Sequence, residues 1–331
     1  MKKNDSSVRI LETFVDAFAS IGFRKNQIIP QYEFADLQSY TETRKVDLGI
    51  FGREPFDYKS ACFAVHILPE GLDASDAAKS FRSFGAPQFF IITNGFTQRW
   101  LNLQSGPILR ESLPTHDTPT LIRSNKSHWN PETMLRMKSG FQQPTPEQID
   151  FVDLGLIPAL EREASQKIDS LIKSILHTAE TYSNKKRGQF DVQNIFRIVF
   201  RLLTAKLLTD RGVYISGGID FSKPFDTLNA VNDFYKIKKE NLKNFPNELL
   251  AQISSKICEA FSFKNLSVDT LTYVYENTFV TKEKREQLGI HSTPSYLADF
   301  IVANLPIDDP DYNKWNLTDP GGVPHVLDSY H

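Results

Sequence analysis

The chain has 331 residues, 40% apolar and 24% charged, with a formal net charge of −2. Those proportions suit a globular protein of two or three domains. The near-zero charge excludes a protein that coats nucleic acid through bulk positive charge, though it leaves room for a local basic patch.

The N-terminal stretch "MKKNDSSVRILETF" has lysines but no apolar core, so it is not read as a signal peptide. No run of about 18 apolar residues suggests a membrane span. Val8, Leu11, Val15, Phe18 and Ile21 recur at helical spacing, and Gly22 can end that helix. Strands are predicted at 28–34, 45–51 and 60–68, followed by a helix over 73–85 with Ala77, Ala78, Phe81 and Phe84 on one side. "QFFIITNG" predicts a buried strand at 88–95, and "TQRWLNL" a partner at 97–103. The order of one helix, three strands, one helix and two strands predicts a mixed sheet covered by helices.

Residues 106–150 contain Pro107, Pro114, Pro119, Pro131, Pro144 and Pro146, and read as a connecting arm with short helical pieces. From 151 to 285 the pattern is helical. "DVQNIFRIVFRLLTAKLLTDRG" is apolar almost all round, as a central bundle helix would be, and Arg197 and Arg201 share one of its faces. They could contact phosphate or pair with acids of the bundle. The basic runs 184–188 and 235–245 could follow a DNA backbone or form solvated faces. Thr293 and Pro294 form a strong helix start before "SYLADFIVANL". Cys62 and Cys258 lie in apolar-periodic segments and are expected as buried free thiols in a reducing cytoplasm.

Two resemblances follow from these residues. "TYVYENTFVTKEKREQLGIHSTPSYLADFIVANL" resembles the segment that opens the catalytic domain of N6-adenine DNA methyltransferases, most closely the enzymes that fuse restriction and modification in one chain. Tyr275-Glu276, Lys284-Arg285 and Gly289 to Pro294 carry it, with Ser292 in place of the usual tyrosine. The resemblance implies that Thr293, Pro294 and Asp319 would contribute to an S-adenosylmethionine site. After Asp319-Pro320 the family has a glycine loop, where this chain has Gly322, Val323 and His325. A β-branched residue and a histidine would crowd a cofactor that must lie against the backbone. No residues stand here for the family's downstream Asn-Pro-Pro-Tyr, which holds the extruded adenine.

The N-terminal block resembles the PD-(D/E)xK nuclease-like domain at the front of type I restriction subunits. The helix ending at Gly22-Phe23, "KVDLGIF", the strand 61–68, the helix 73–84 and the Thr93-Asn94-Gly95 turn carry that resemblance. It implies a Mg²⁺ ion held by Asp47 and a second carboxylate, with a lysine nearby. The next strand instead offers Ala64, Val65, His66 and Ile67. His66 could replace the lysine or ligate a metal, or be a hydrogen-bonded core histidine. Asp47 could be a metal ligand or a solvated strand-end carboxylate. Glu12 and Glu33 could assist, and Asp57-Tyr58-Lys59 could be a migrated motif.

The expected fold class is therefore α/β plus α. A restriction-endonuclease-like α/β domain (1–105) is followed by the arm (106–150), a helical domain (151–285) and an incomplete Rossmann-like methyltransferase start (286–331). The expected function is that of a truncated restriction–modification polypeptide of phage defence, with a degenerate nuclease site and no methyl transfer by itself. DNA and other restriction–modification subunits are the expected partners. A non-catalytic DNA- or partner-binding module, or an active nuclease using the migrated motif, are the alternatives.

Overall fold

A computed structural model of the chain describes residues 2–39, 42–139, 152–153, 155–186, 192–237, 245–267 and 270. They belong to one unit, Met1–Phe279. Thr293, Pro294 and Asp319 lie outside the described residues, as do the whole of 286–331 and residues 187–188 and 238–244 of the two basic runs.

Helix α1 spans Lys2–Ser20 and ends where Gly22 takes φ 115°. Its buried stripe is Phe14, Ala17, Phe18 and Ile21, while Val8 is exposed. Six strands follow in sequence order across one sheet: β1 (Ile28–Ala35), β2 (Thr43–Phe51), β3 (Ala61–Ile67), β4 (Gln88–Thr93), β5 (Phe96–Leu103) and β6 (Gly106–Pro114). All neighbours are antiparallel except β3 and β4. A parallel pair needs a crossover, and α2 (Ala74–Ser80), capped by Asp73, supplies it.

Helices cover both faces of the sheet. On one face Phe14, Phe18 and Ile21 of α1 meet Leu48, Ile50, Phe63, Val65 and Phe90. On the other, Tyr32, Phe34, Val46, Phe51 and Phe89 pack with Phe81 and Phe84, which follow α2. Tilted and edge-to-face ring pairs run through both layers, such as Phe18–Phe63 at 5.0 Å and Tyr32–Phe51 at 4.8 Å.

Residues 106–139 do not form a connecting arm. They build β6 and the helices α3 (Thr118–Ser124), α4 (Lys126–Trp129) and α5 (Pro131–Ser139). Ile122, Trp129, Met134 and Met137 complete the core on the α1 face. The prolines that suggested breaks sit where a missing N–H does no harm. Pro107 and Pro114 lie near the two ends of an edge strand, Pro119 in the first turn of α3, and Pro131 at the start of α5.

The helical half comprises α6 (Leu156–Lys186), α7 (Val192–Asp210), α8 (Pro224–Phe234) and α9 (Asn247–Cys258). Its core runs along Leu160, Ile168, Ile172 and Ile175 of α6, Ile198 and Leu202 of α7, and Leu249 and Ile253 of α9. Leu37 and Tyr58 from the sheet half belong to that same core. Cys62 is buried as expected, and burial pushes its thiol up to about 12. Cys258, at the end of α9, is exposed, contrary to expectation. Among the described residues, no helix is long and apolar enough to cross a membrane.

Candidate functional site

The α1 face and the α2 face exchange residues at one point of the sheet, and Asp47 stands there. Ile28 packs on the α1 face, but Tyr32 and Phe34 pack on the α2 face. A regular strand would put all three on one side, because its side chains alternate. Strand β2 makes the same switch between Val46 and Leu48. The β1–β2 pairing continues from Pro30↔Leu48 to Tyr32↔Val46 with Gln31 and Asp47 left out between them. Gln31 takes φ 51°. For a residue with a Cβ that conformation is sparsely populated, and such strain clusters at functional positions.

The interruption lets Asp47 lean toward β3. Its Oδ1 accepts a hydrogen bond from Gln31 Nε2 at 2.9 Å, and Oδ2 accepts one from the Ile67 backbone N–H at 2.8 Å. His66 Nδ1 lies 3.0 Å from Oδ2, off the axis of a well-aligned hydrogen bond. Phe81 packs against the imidazole with the ring centres 4.9 Å apart. Burial alone would raise the Asp47 carboxyl. The His66 contact, the Ile67 N–H, the His66 charge and Gln31 together outweigh it, and the carboxyl is held below the usual aspartate value. Asp47 is therefore ionised at neutral pH, and its side chain retains 21% exposure.

The structure thus brings Asp47 and His66 together and leaves the other candidates apart. Ala64, on the strand facing Asp47, is buried in the α2-face core. Glu12 is exposed on α1, and Glu33 is exposed on edge strand β1, 3.9 Å from Lys45. Among the described residues, no three His, Cys, Asp or Glu side chains converge as a metal cage. A Mg²⁺ ion prefers several oxygen ligands in octahedral array, so one carboxylate already engaged by two donors fits it poorly.

Asp57 and Lys59 do not join this site. Asp47 lies beside His66 and Ile67 at one end of β3, whereas Asp57 precedes Ala61 at the other. Six residues of extended chain separate those ends by about 20 Å. Asp57 Oδ1 accepts the backbone N–H groups of Lys59 at 2.9 Å and Ser60 at 3.2 Å, forming a local turn. Lys59 Nζ pairs with Glu161 of α6 at 2.7 Å. Burial, opposed by the Ser60 N–H, Arg211, the Lys59 N–H and Lys138, raises the Asp57 carboxyl above the usual range.

Lys138 near the end of α5 was not foreseen, because nothing in "LRMKSG" distinguishes it from a solvated lysine. Its Nζ donates to the carbonyls of Tyr58 at 2.8 Å, Ala61 at 2.5 Å and Gly85 at 3.0 Å. Burial pushes the ammonium down to about 8, while three carbonyl acceptors match the three donors of its protonated form.

No family model matches the chain, and neither does any curated protein. A solved structure described as "cryoEM structure DrdV-DNA complex" is similar over 96% of this chain, at 15% identity and a TM-score of 0.30. The chain corresponds to 31% of the length of that protein.

Proposed function

We propose that the sheet half is a nuclease-like module with a degenerate metal site, and that the chain serves DNA restriction–modification by binding rather than by cutting. The observation that carries this reading is the environment of Asp47. Its oxygens are engaged by Gln31 and Ile67, and the facing strand supplies buried Ala64 and His66 where the chemistry needs a second carboxylate and a lysine. The strand order, with three antiparallel strands and a helical crossover to a parallel fourth, supports the resemblance to the PD-(D/E)xK domain.

Supercoiled plasmid incubated with the full chain and Mg²⁺ or Mn²⁺ tests the degenerate site. Wild type and Asp47→Ala should leave it equally intact. Cutting by wild type that Asp47→Ala abolishes would establish the opposite reading, an active nuclease in which His66 replaces the lysine. Binding is tested by gel shift across a salt series. Affinity should fall steeply and linearly on a log–log plot, and the absence of any shift at low salt would remove DNA as the partner.

The finer assignment, an S-adenosylmethionine site at Thr293, Pro294 and Asp319, is supported by sequence resemblance alone. Val323 and His325 stand where that family has glycines, so we propose that this chain does not retain the cofactor. Equilibrium dialysis with labelled cofactor should show no saturable uptake.

A further inference from the structure

We propose that the outer edge of β6 pairs antiparallel with β6 of a second copy of this chain, about a twofold axis between Arg110 and Glu111. The proposal does not depend on whether the Asp47 site cuts DNA.

β6 ends the sheet, and among the described residues no strand pairs with its outer edge. An edge strand with exposed Ile108 and Leu109 is a template for further pairing. The ladder to β5 shows which backbone groups that edge presents. In an antiparallel pair, bonded and non-bonded positions alternate. Asn102 turns its N–H to the Pro87 carbonyl, away from β6. Leu103, Leu101, Arg99 and Thr97 of β5 therefore face β6, and their partners Gly106, Ile108, Glu111 and Leu113 face inward. Arg110, skipped by the register, takes up a bulge. Pro107, Leu109, Ser112 and Pro114 are left facing outward.

Those four outward positions are symmetric about the midpoint of Arg110 and Glu111. Against a copy of itself, Leu109 stands opposite Ser112 of the second copy, and the two can exchange both backbone bonds on each side of the axis. Pro107 stands opposite Pro114 of the second copy. Neither proline has an N–H to give, so the ladder ends there, and other registers lose bonds.

The side chains match in the same register. Ile108 meets Leu113 of the second copy. Both lie opposite odd-numbered residues of β5, so they share one face of the sheet. Arg110 meets Glu111 of the second copy, and Glu111 meets its Arg110. Within one chain Glu111 binds Arg99 Nε at 2.5 Å, and Arg110 adds a second positive charge acting on Arg99. The second copy brings another carboxylate to that pair of guanidinium groups. Apolar pairs and opposite-charge pairs across strands each favour this register. A foreign strand would need the same order of proline, apolar and charged residues. A second copy has it by symmetry, as an isologous interface requires.

Sedimentation velocity of the full chain across a concentration series tests the proposal. The unmodified chain should show a reversible monomer–dimer equilibrium. Ser112→Pro removes an outward N–H and spares the ladder to β5, so it should raise the dissociation constant at least tenfold. Arg110→Glu, which sets like charges across the axis, should also raise it at least tenfold and serves should the proline perturb the fold. The register is read by cross-linking in a Cys258→Ser background. A mixture of Ile108→Cys and Leu113→Cys chains should form a disulfide dimer on mild oxidation. Ile108→Cys alone should not, because its two copies would stand about 13 Å apart along the ladder. A monomer at every concentration would overturn the proposal. So would a dimer that both Ser112→Pro and Arg110→Glu leave unchanged, or Ile108→Cys chains that cross-link with each other as readily as with Leu113→Cys.

Discussion

Asp47 and Asp57 flank the same strand and make similar local bonds, yet their carboxyls are displaced in opposite directions. Both accept backbone N–H groups, Asp47 from Ile67 and Asp57 from Lys59 and Ser60. The difference is depth and company. Asp47 keeps contact with water beside an imidazole, so its bonds to the charged form win. Asp57 is 3% exposed in a loop pressed between the halves of the molecule, and desolvation wins. A carboxylate at the first position can meet a ligand. At the second it can only serve the fold.

The largest test of that contrast is Gly85→Ala. An added Cβ would lie 2.5 Å from Tyr58 Cβ and 2.6 Å from its carbonyl oxygen, at φ 81°. The loop that buries Asp57 could not remain, and we expect a loss of about 3 kcal/mol, read as a lowered urea midpoint. Lys138→Met comes next. It leaves the carbonyls of Tyr58, Ala61 and Gly85 without their shared donor. A loss of roughly 2 kcal/mol is expected by the same measurement.

Stability against pH sharpens the comparison of the aspartates. Asp47, with its carboxyl lowered, contributes stability above the unfolded value of about 4 that is lost as pH falls through its folded value. Asp47→Asn should therefore cost about 1 kcal/mol at neutral pH and less in acid. Asp57 is raised, so its contribution is present below about 4 and lost as pH rises through its folded value. Asp57→Asn should compare more favourably with wild type at pH 7 than at pH 4. Parallel pH dependence of the two variants would contradict the assignment. The smallest effect is expected for Gln31→Gly. Relief of the positive φ, worth about 1 kcal/mol, is offset by the lost bond to Asp47. Stability should hardly change, while the Asp47 carboxyl titrates at higher pH in carbon-detected NMR.

Much of the sheet was legible in the sequence because its strands are short apolar runs between turn residues. Residues 43–51, 61–67 and 88–93 each appear within about two residues of the predicted span. β6 was missed because "GPILRESLP" is an exposed edge strand bracketed by prolines, with neither alternation nor burial to mark it. The Asp47–His66 pairing was half legible. Both residues stood out by type and position, but their contact depends on the face switch at Gln31, which no periodicity reveals. Read as a regular strand, Ile28, Tyr32 and Phe34 would share one face.

By itself the amino-acid sequence determined the order of helices and strands, the apolar faces that must be covered, and the absence of a glutamate and lysine from the strand facing Asp47. Local pattern and residue identity suffice for those. Only the tertiary structure decided which of the two aspartates is buried, that Lys138 is a buried clamp, and that Ser267 and Thr270 close on Tyr58. Those properties belong to contacts between residues 53 to 212 positions apart in the chain, and desolvation, which sets their energies, exists only once the two halves have packed.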